Sequence, residues 1–151
     1  MIAAGIVVAD QASKAFLIGT VAQGDRIVVT PFFNVVHVYN TGAAFSFLAG
    51  ASGWQREFFI GIALVASVWI TWMLVRHSDE TRFALALALI LGGAIGNVID
   101  RVHIGAVVDF VQLHAFGYAW PAFNVADSAI TVGAVVLAIE ALIPRRTDPG
   151  P

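Results

Sequence analysis

The stretch from Gly92 to Asp127 decides the fold: GGAIGNVIDRVHIGAVVDFVQLHAFGYAWPAFNVAD. It starts as a glycine-rich apolar helix and turns polar at Asn97, Asp100 and Arg101. These follow Gly93 at i+4, i+7 and i+8, so a helix carries them as one polar stripe. Asp109 then stands inside the β-branched run Val107-Val108-Asp109-Phe110-Val111. An extended chain puts it on the face of Val107, Val111 and Leu113. A carboxylate on an apolar face is costly unless paired, hydrated or protonated. Asn124 and Asp127 close the stretch at the mouth of a further apolar segment. Packing alone offers partial answers. Asp109 could be a solvated strand end, Asn124 and Asp127 a helix cap, and Arg101 a cation matched to a helix C-terminus.

The surrounding chain is apolar. Of its 151 residues, 59% are hydrophobic and 12% charged, about half the charged share of a soluble domain. That composition points to an α-helical integral membrane protein. The length fits a single membrane-embedded domain over residues 1–151. A net charge of -2 speaks against a nucleic-acid partner. The lack of cysteine excludes disulfides and thiol catalysis.

Roughly 20 apolar residues cross a bilayer, and four segments qualify, at about 1–21, 58–75, 83–99 and 125–143. The first contains Asp10 and Lys14, four apart, which share a helix face and can pair. Charges at that depth either neutralise each other or tie the helix to a polar site. Met1–Ala9 lacks a basic leading region, so a cleaved signal peptide is not expected. Phe58–Val75 has no formal charge, with Trp54, Trp69 and Trp72 toward its ends as interfacial anchors. Gly92 and Gly96 form a small-xxx-small pair that permits close helix contact. Pro144, Arg145 and Arg146 stop the last span, and Thr147–Pro151 is an expected disordered tail.

The segments at about 22–57 and 100–124 are too polar to span. Arg26–Val29, Phe32–Tyr39 and Val107–Leu113 look like short strands. Gln23-Gly24-Asp25 and Asn40-Thr41-Gly42 are turn signals, Ala43–Leu48 is a small-residue and Phe run, and Ala49–Gly53 is a loop. Together they predict a small β-rich cap outside the bilayer. Four spans put both termini on one side, with Arg76, Arg82, Arg145 and Arg146 against Arg26, Arg56 and Arg101. The positive-inside rule then predicts cytoplasmic termini, with Asp109 and Asp127 on the outer side.

Two carboxylates at one interface, framed by Asn and Arg donors and without a plausible Ser-His pair, suggest acid–base hydrolysis. Carboxylates that share a site hold one proton between them, and the titration belongs to the pair. His37, His77, His103 and His114 show no ligand spacing, so neither a metal nor another cofactor is expected. The rival readings are a lipid hydrolase and a non-enzymatic transporter or assembly factor. The latter would place ionisable groups at several depths, whereas Phe58–Val75 has none.

Five blocks then stand in order between the spans. They are Asp10-Gln11-x-x-Lys14, Asn40-Thr41-Gly42-Ala43-Ala44-Phe45, Gly92-Gly93-x-x-Gly96-Asn97-x-x-Asp100-Arg101, Val108-Asp109-Phe110 and Phe123-Asn124-x-Ala126-Asp127. With them the chain resembles bacterial lipoprotein signal peptidase (signal peptidase II). The resemblance implies four transmembrane helices with a small extracytoplasmic β-cradle, in the inner membrane. It implies an aspartyl endopeptidase that cleaves prolipoproteins just before a diacylglyceryl-modified cysteine. By the motif match, Asp109 and Asp127 are the catalytic dyad. Asn40, Asn97, Arg101 and Asn124 line and polarise the site, and Asp10, Gln11, Lys14 and Asp100 support it. The implied partners are lipidated substrate and membrane lipid, with the enzyme a monomer. Nine residues precede Asp10, fewer than the family usually carries, which leaves the first span short on its cytoplasmic side.

Overall fold

The computed structural model describes residues 1–42 and 53–143. The run Ala43–Leu48, the loop as far as residue 52, the basic stop at 144–146 and the tail lie outside them. In chain order the elements are α1 (Ile2–Thr20), β1 (Arg26–Thr30), β2 (Phe33–Asn40), α2 (Gln55–Arg76), α3 (Thr81–His103), β3 (Val107–Ala115), β4 (Tyr118–Ala119) and α4 (Val125–Leu142). All four helices are long and apolar enough to cross a membrane. Val8, Phe16, Val65, Val68, Trp69 and Leu142 point outward, which suits lipid but would be a liability in water.

α3 is the central post and packs against each of the other three helices. Its glycines explain how. A Cβ on Gly92 would stand 2.7 Å from the Ala3 carbonyl oxygen on α1. One on Gly93 would collide with the Ala126 carbonyl on α4. A Cβ on Gly96 would lie 2.7 Å from Asp10 Oδ2, so its absence is what lets a buried carboxylate in. The expected Gly92/Gly96 pair therefore faces α1, and Gly93 opens the other side. α2 packs chiefly on α3.

The third helix outlasts its apolar stretch. It continues through Asn97, Asp100 and Arg101 because each side chain finds partners, so polarity does not end it. It stops where the Gly105 amide bonds back to the Arg101 carbonyl (3.2 Å) and Gly105 takes φ +88°, a conformation glycine supplies without strain.

The four strands form one antiparallel sheet in the order β1-β2-β3-β4. Val108 is wholly buried and packs with Leu17 and Val21 at the end of α1, joined by Val35, Tyr39 and Phe110. The sheet is thus seated on the end of the bundle. β2 and β3 pair Val38 with Asp109 and Asn40 with Val107. β4 was not expected from the sequence. Its two-residue turn is Phe116-Gly117, with φ +52° and +79°. Such turns usually announce themselves as Asn-Gly or Asp-Gly, and Phe116 hides the signal.

Candidate functional site

α4 begins with a capping box. The Asn124 side chain accepts the Asp127 amide at 2.8 Å, and Asp127 Oδ2 accepts the Asn124 amide at 3.3 Å. The packing explanation for these two residues is therefore real, and it is incomplete. Asn124 Nδ2 also donates to Asp109 Oδ1 at 2.8 Å, so one asparagine touches both aspartates. Asn97 Nδ2 donates to the other oxygen of Asp127 at 2.8 Å. Asn40 Nδ2 donates to the other oxygen of Asp109 at 3.1 Å. Asp109 is buried, and Asp127 is only half-buried.

Among the described residues the donors are all neutral amides, and they leave the pair's charge uncompensated at contact distance. Burial, and then the Asp127 charge, push the Asp109 carboxyl up to about 7, while the Asn40 and Asn124 amides and the Lys14 charge pull it back.

A second cluster lies behind this one. Lys14 Nζ is 2.7 Å from Asp10 Oδ2 and 2.8 Å from Asp100 Oδ2. Its third proton points at Asn97 Oδ1, 3.3 Å away. An ammonium only donates, so Lys14 obliges Asn97 to turn its NH2 toward Asp127. Gln11 Nε2 bonds Asp100 Oδ1 (2.9 Å), Asp10 Oδ2 and the Gly96 carbonyl. Asp10 Oδ1 accepts the Ala126 amide at 2.9 Å, and Asp100 Oδ2 accepts the Val108 amide at 3.0 Å.

Arg101 closes one flank. Its Nη2 donates to the Gly42 carbonyl at 2.8 Å, and its guanidinium lies 5.1 Å from the Phe59 ring centroid on α2. All ten residues named from the sequence are thus gathered in one connected network.

Arg56 was counted there only as a charge. Its Nε and Nη2 donate to the Arg101 and Val102 carbonyls at 2.8 and 2.9 Å, fastening the start of α2 to the end of α3. A signal was available. A cation in the first turn of its own helix opposes that helix's dipole, so a helix that places one there has another use for it. The histidines stay apart from the network. His37 faces the Val21 carbonyl and His77 the Met73 carbonyl. Among the described residues no three His, Asp or Glu side chains are placed to hold a metal ion.

Residues 2–143 match the family model described as Signal peptidase (SPase) II. A lipoprotein signal peptidase of Ralstonia nicotianae is 56% identical over 133 residues, covering 88% of this chain and 77% of that one. Another, of Cupriavidus necator, is 56% identical over 137 residues, covering 91% and 78%. A solved bacterial membrane enzyme superposes with a TM-score of 0.87 at 33% identity, over 99% of this chain and 91% of that one. A second such structure gives 0.82 at 34% identity, over 97% and 92%.

Proposed function

Because this chain belongs to the signal peptidase II family and is a bacterial membrane peptidase acting on prolipoproteins, we propose that Asp109 and Asp127 are its catalytic pair. The observation that carries this is Asn124, which hydrogen-bonds both aspartates while, among the described residues, no cation forms an ion pair with either one. Two carboxylates held together by neutral donors keep one proton between them.

The ionised member takes a proton from water as the water oxygen attacks the scissile carbonyl. The protonated member gives its proton to the carbonyl oxygen. The resulting diol collapses and the C–N bond breaks. The leaving nitrogen takes the proton won from water, and a diol hydroxyl returns one to the other aspartate, so the pair ends as it began. Asn40, Asn97 and Asn124 hold the carboxylates, and Arg101 frames the site. Asp10, Gln11, Lys14 and Asp100 support it from behind.

The substrate is a prolipoprotein whose cysteine carries diacylglycerol, cut just before that cysteine. Its lipid stays in the bilayer while the bond sits near the interface. That depth matches aspartates placed where α4 enters the sheet end of the bundle. Both termini are cytoplasmic, the site lies near the outer leaflet, and the enzyme works as a monomer without a cofactor.

The test is to make Asp109→Asn and Asp127→Asn and follow signal-peptide release from lipidated and unlipidated precursor. Each variant should lose about a thousandfold or more in rate and stay folded in membranes. Near-wild-type processing by either one removes the dyad. Equal cleavage of both precursors removes the lipid requirement.

A further inference from the structure

Asp10 and Asp100 do more than neutralise Lys14. Each also accepts one backbone amide, and the two amides have matching places. Asp10 Oδ1 holds the N–H of Ala126, the residue before Asp127. Asp100 Oδ2 holds the N–H of Val108, the residue before Asp109. Lys14 joins the two carboxylates at 2.7 and 2.8 Å. Besides the direct bridge through Asn124, a second path from one aspartate of the pair to the other therefore runs Asp127, Ala126, Asp10, Lys14, Asp100, Val108, Asp109, and every non-covalent link in it is a charge-assisted bond.

We propose that Asp10, Lys14 and Asp100 form a caliper that sets the spacing between Asp109 and Asp127. They are positioning residues, and this role rests on the dyad reading above.

Three features favour a gauge over simple glue. All three side chains are buried, at 0, 2 and 3% exposure, so water does not soften the links. All three ammonium protons have acceptors, the last being Asn97 Oδ1, which orients the amide on Asp127. The two jaws also come from different helices, α1 and α3, and grip two further elements, α4 and β3. No local turn relates Asp109 to Asp127: Asn124 bridges them from the front, and Asp10 and Asp100 grip the residue before each from behind. Shared-proton chemistry depends on their separation. Carboxylates moved apart repel less and titrate more nearly alike.

The test keeps charge and changes reach. Asp100→Glu and Asp10→Glu each lengthen one jaw by a methylene. The charges facing the dyad, Lys14 and Asp10 or its glutamate from α1 and Asp100 or its glutamate and Arg101 from α3, all persist. Rates are measured on lipidated precursor across pH and expressed per molecule in the monodisperse size-exclusion peak. A displacement of about 1 Å costs up to a hundredfold, so kcat should fall between about ten- and a hundredfold with KM within about twofold. The acid and alkaline limbs of kcat should move toward each other. A merely structural role would lower the folded yield and leave kcat per folded molecule and both limbs in place. That result in both variants overturns the caliper. The dyad reading fails separately, if Asp109→Asn remains active.

Discussion

Four aspartates meet at the sheet end of this bundle, in two pairs built on opposite plans. Asp10 and Asp100 have a lysine between them, with both contacts under 3 Å. Asp109 and Asp127 have asparagines around them and, among the described residues, no ion pair. Burial is similar for Asp10, Asp100 and Asp109, so desolvation alone does not set Asp109 apart from the first pair. The neighbours do. A cation fixes a carboxylate in its charged form and makes it a strut. An amide holds it in place and leaves the proton free to come and go. The same residue type becomes structure in one case and the proposed chemistry in the other.

The sharpest way to break this contrast is to remove the cation. Lys14→Met is close in shape and cannot donate, so it strands two buried carboxylates. Losing one partner of a buried ion pair costs about 3–5 kcal/mol, and thermal unfolding in detergent should show it. Asp109→Asn should leave stability nearly unchanged at mildly acidic pH, because it removes a carboxyl that is already largely protonated there. The sign follows from linkage. With a folded pKa of about 7 against about 4 unfolded, the native state binds the extra proton, so stability falls as pH climbs from about 4 to about 7. Asp109→Asn should flatten that slope. If Lys14→Met is harmless, or if the slope survives in Asp109→Asn, the two pairs are not different in kind.

A smaller effect belongs to α2. It packs chiefly on α3, and Arg56 is an exposed clasp at the end near Arg101. Arg56→Ala should cost about 1 kcal/mol after solvent screening, a fall in Tm of about 2–4 °C. An unchanged Tm would mean the clasp contributes nothing beyond the packing of α2 on α3.

Much of the fold was legible because lipid imposes blunt rules. Runs of apolar residues near bilayer length gave the four helices, and the spacing of Gly92 and Gly96 gave a close contact. Asp109 was visible as expensive from its β-branched neighbours alone. The polar site was legible as a set of residues but not as a network. Nothing near Asp10 shows that its second oxygen reaches the Ala126 amide, 116 positions away. A backbone N–H carries no sequence label, so both jaws of the proposed caliper close on groups that pattern reading cannot see. The same limit hid β4 behind Phe116 and the use of Arg56 behind a charge count. The stripe Asn97, Asp100 and Arg101 was legible as the end of the third helix, but why it stays buried shows only in its partners on α1, β3 and α4.

The finest adjustment separates holding a carboxylate from tuning it. Asn40 reaches Asp109 from the end of β2 and donates to the oxygen that Asn124 leaves free. Its bond favours the ionised form and opposes the burial that raises Asp109 toward 7. Asn40→Leu removes that donor, so the proton is held more tightly. If the pair works with one shared proton, the alkaline limb of kcat marks its loss, and in Asn40→Leu that limb should move to higher pH. The links between Asp10, Lys14 and Asp100 run through the Ala126 and Val108 amides, so the acid limb should stay in place, whereas an opened jaw would bring the two limbs together. A pH–rate series on wild type and Asn40→Leu measures both limbs. An alkaline limb that stays put, or moves down, would show that Asn40 positions the pair without setting its proton affinity.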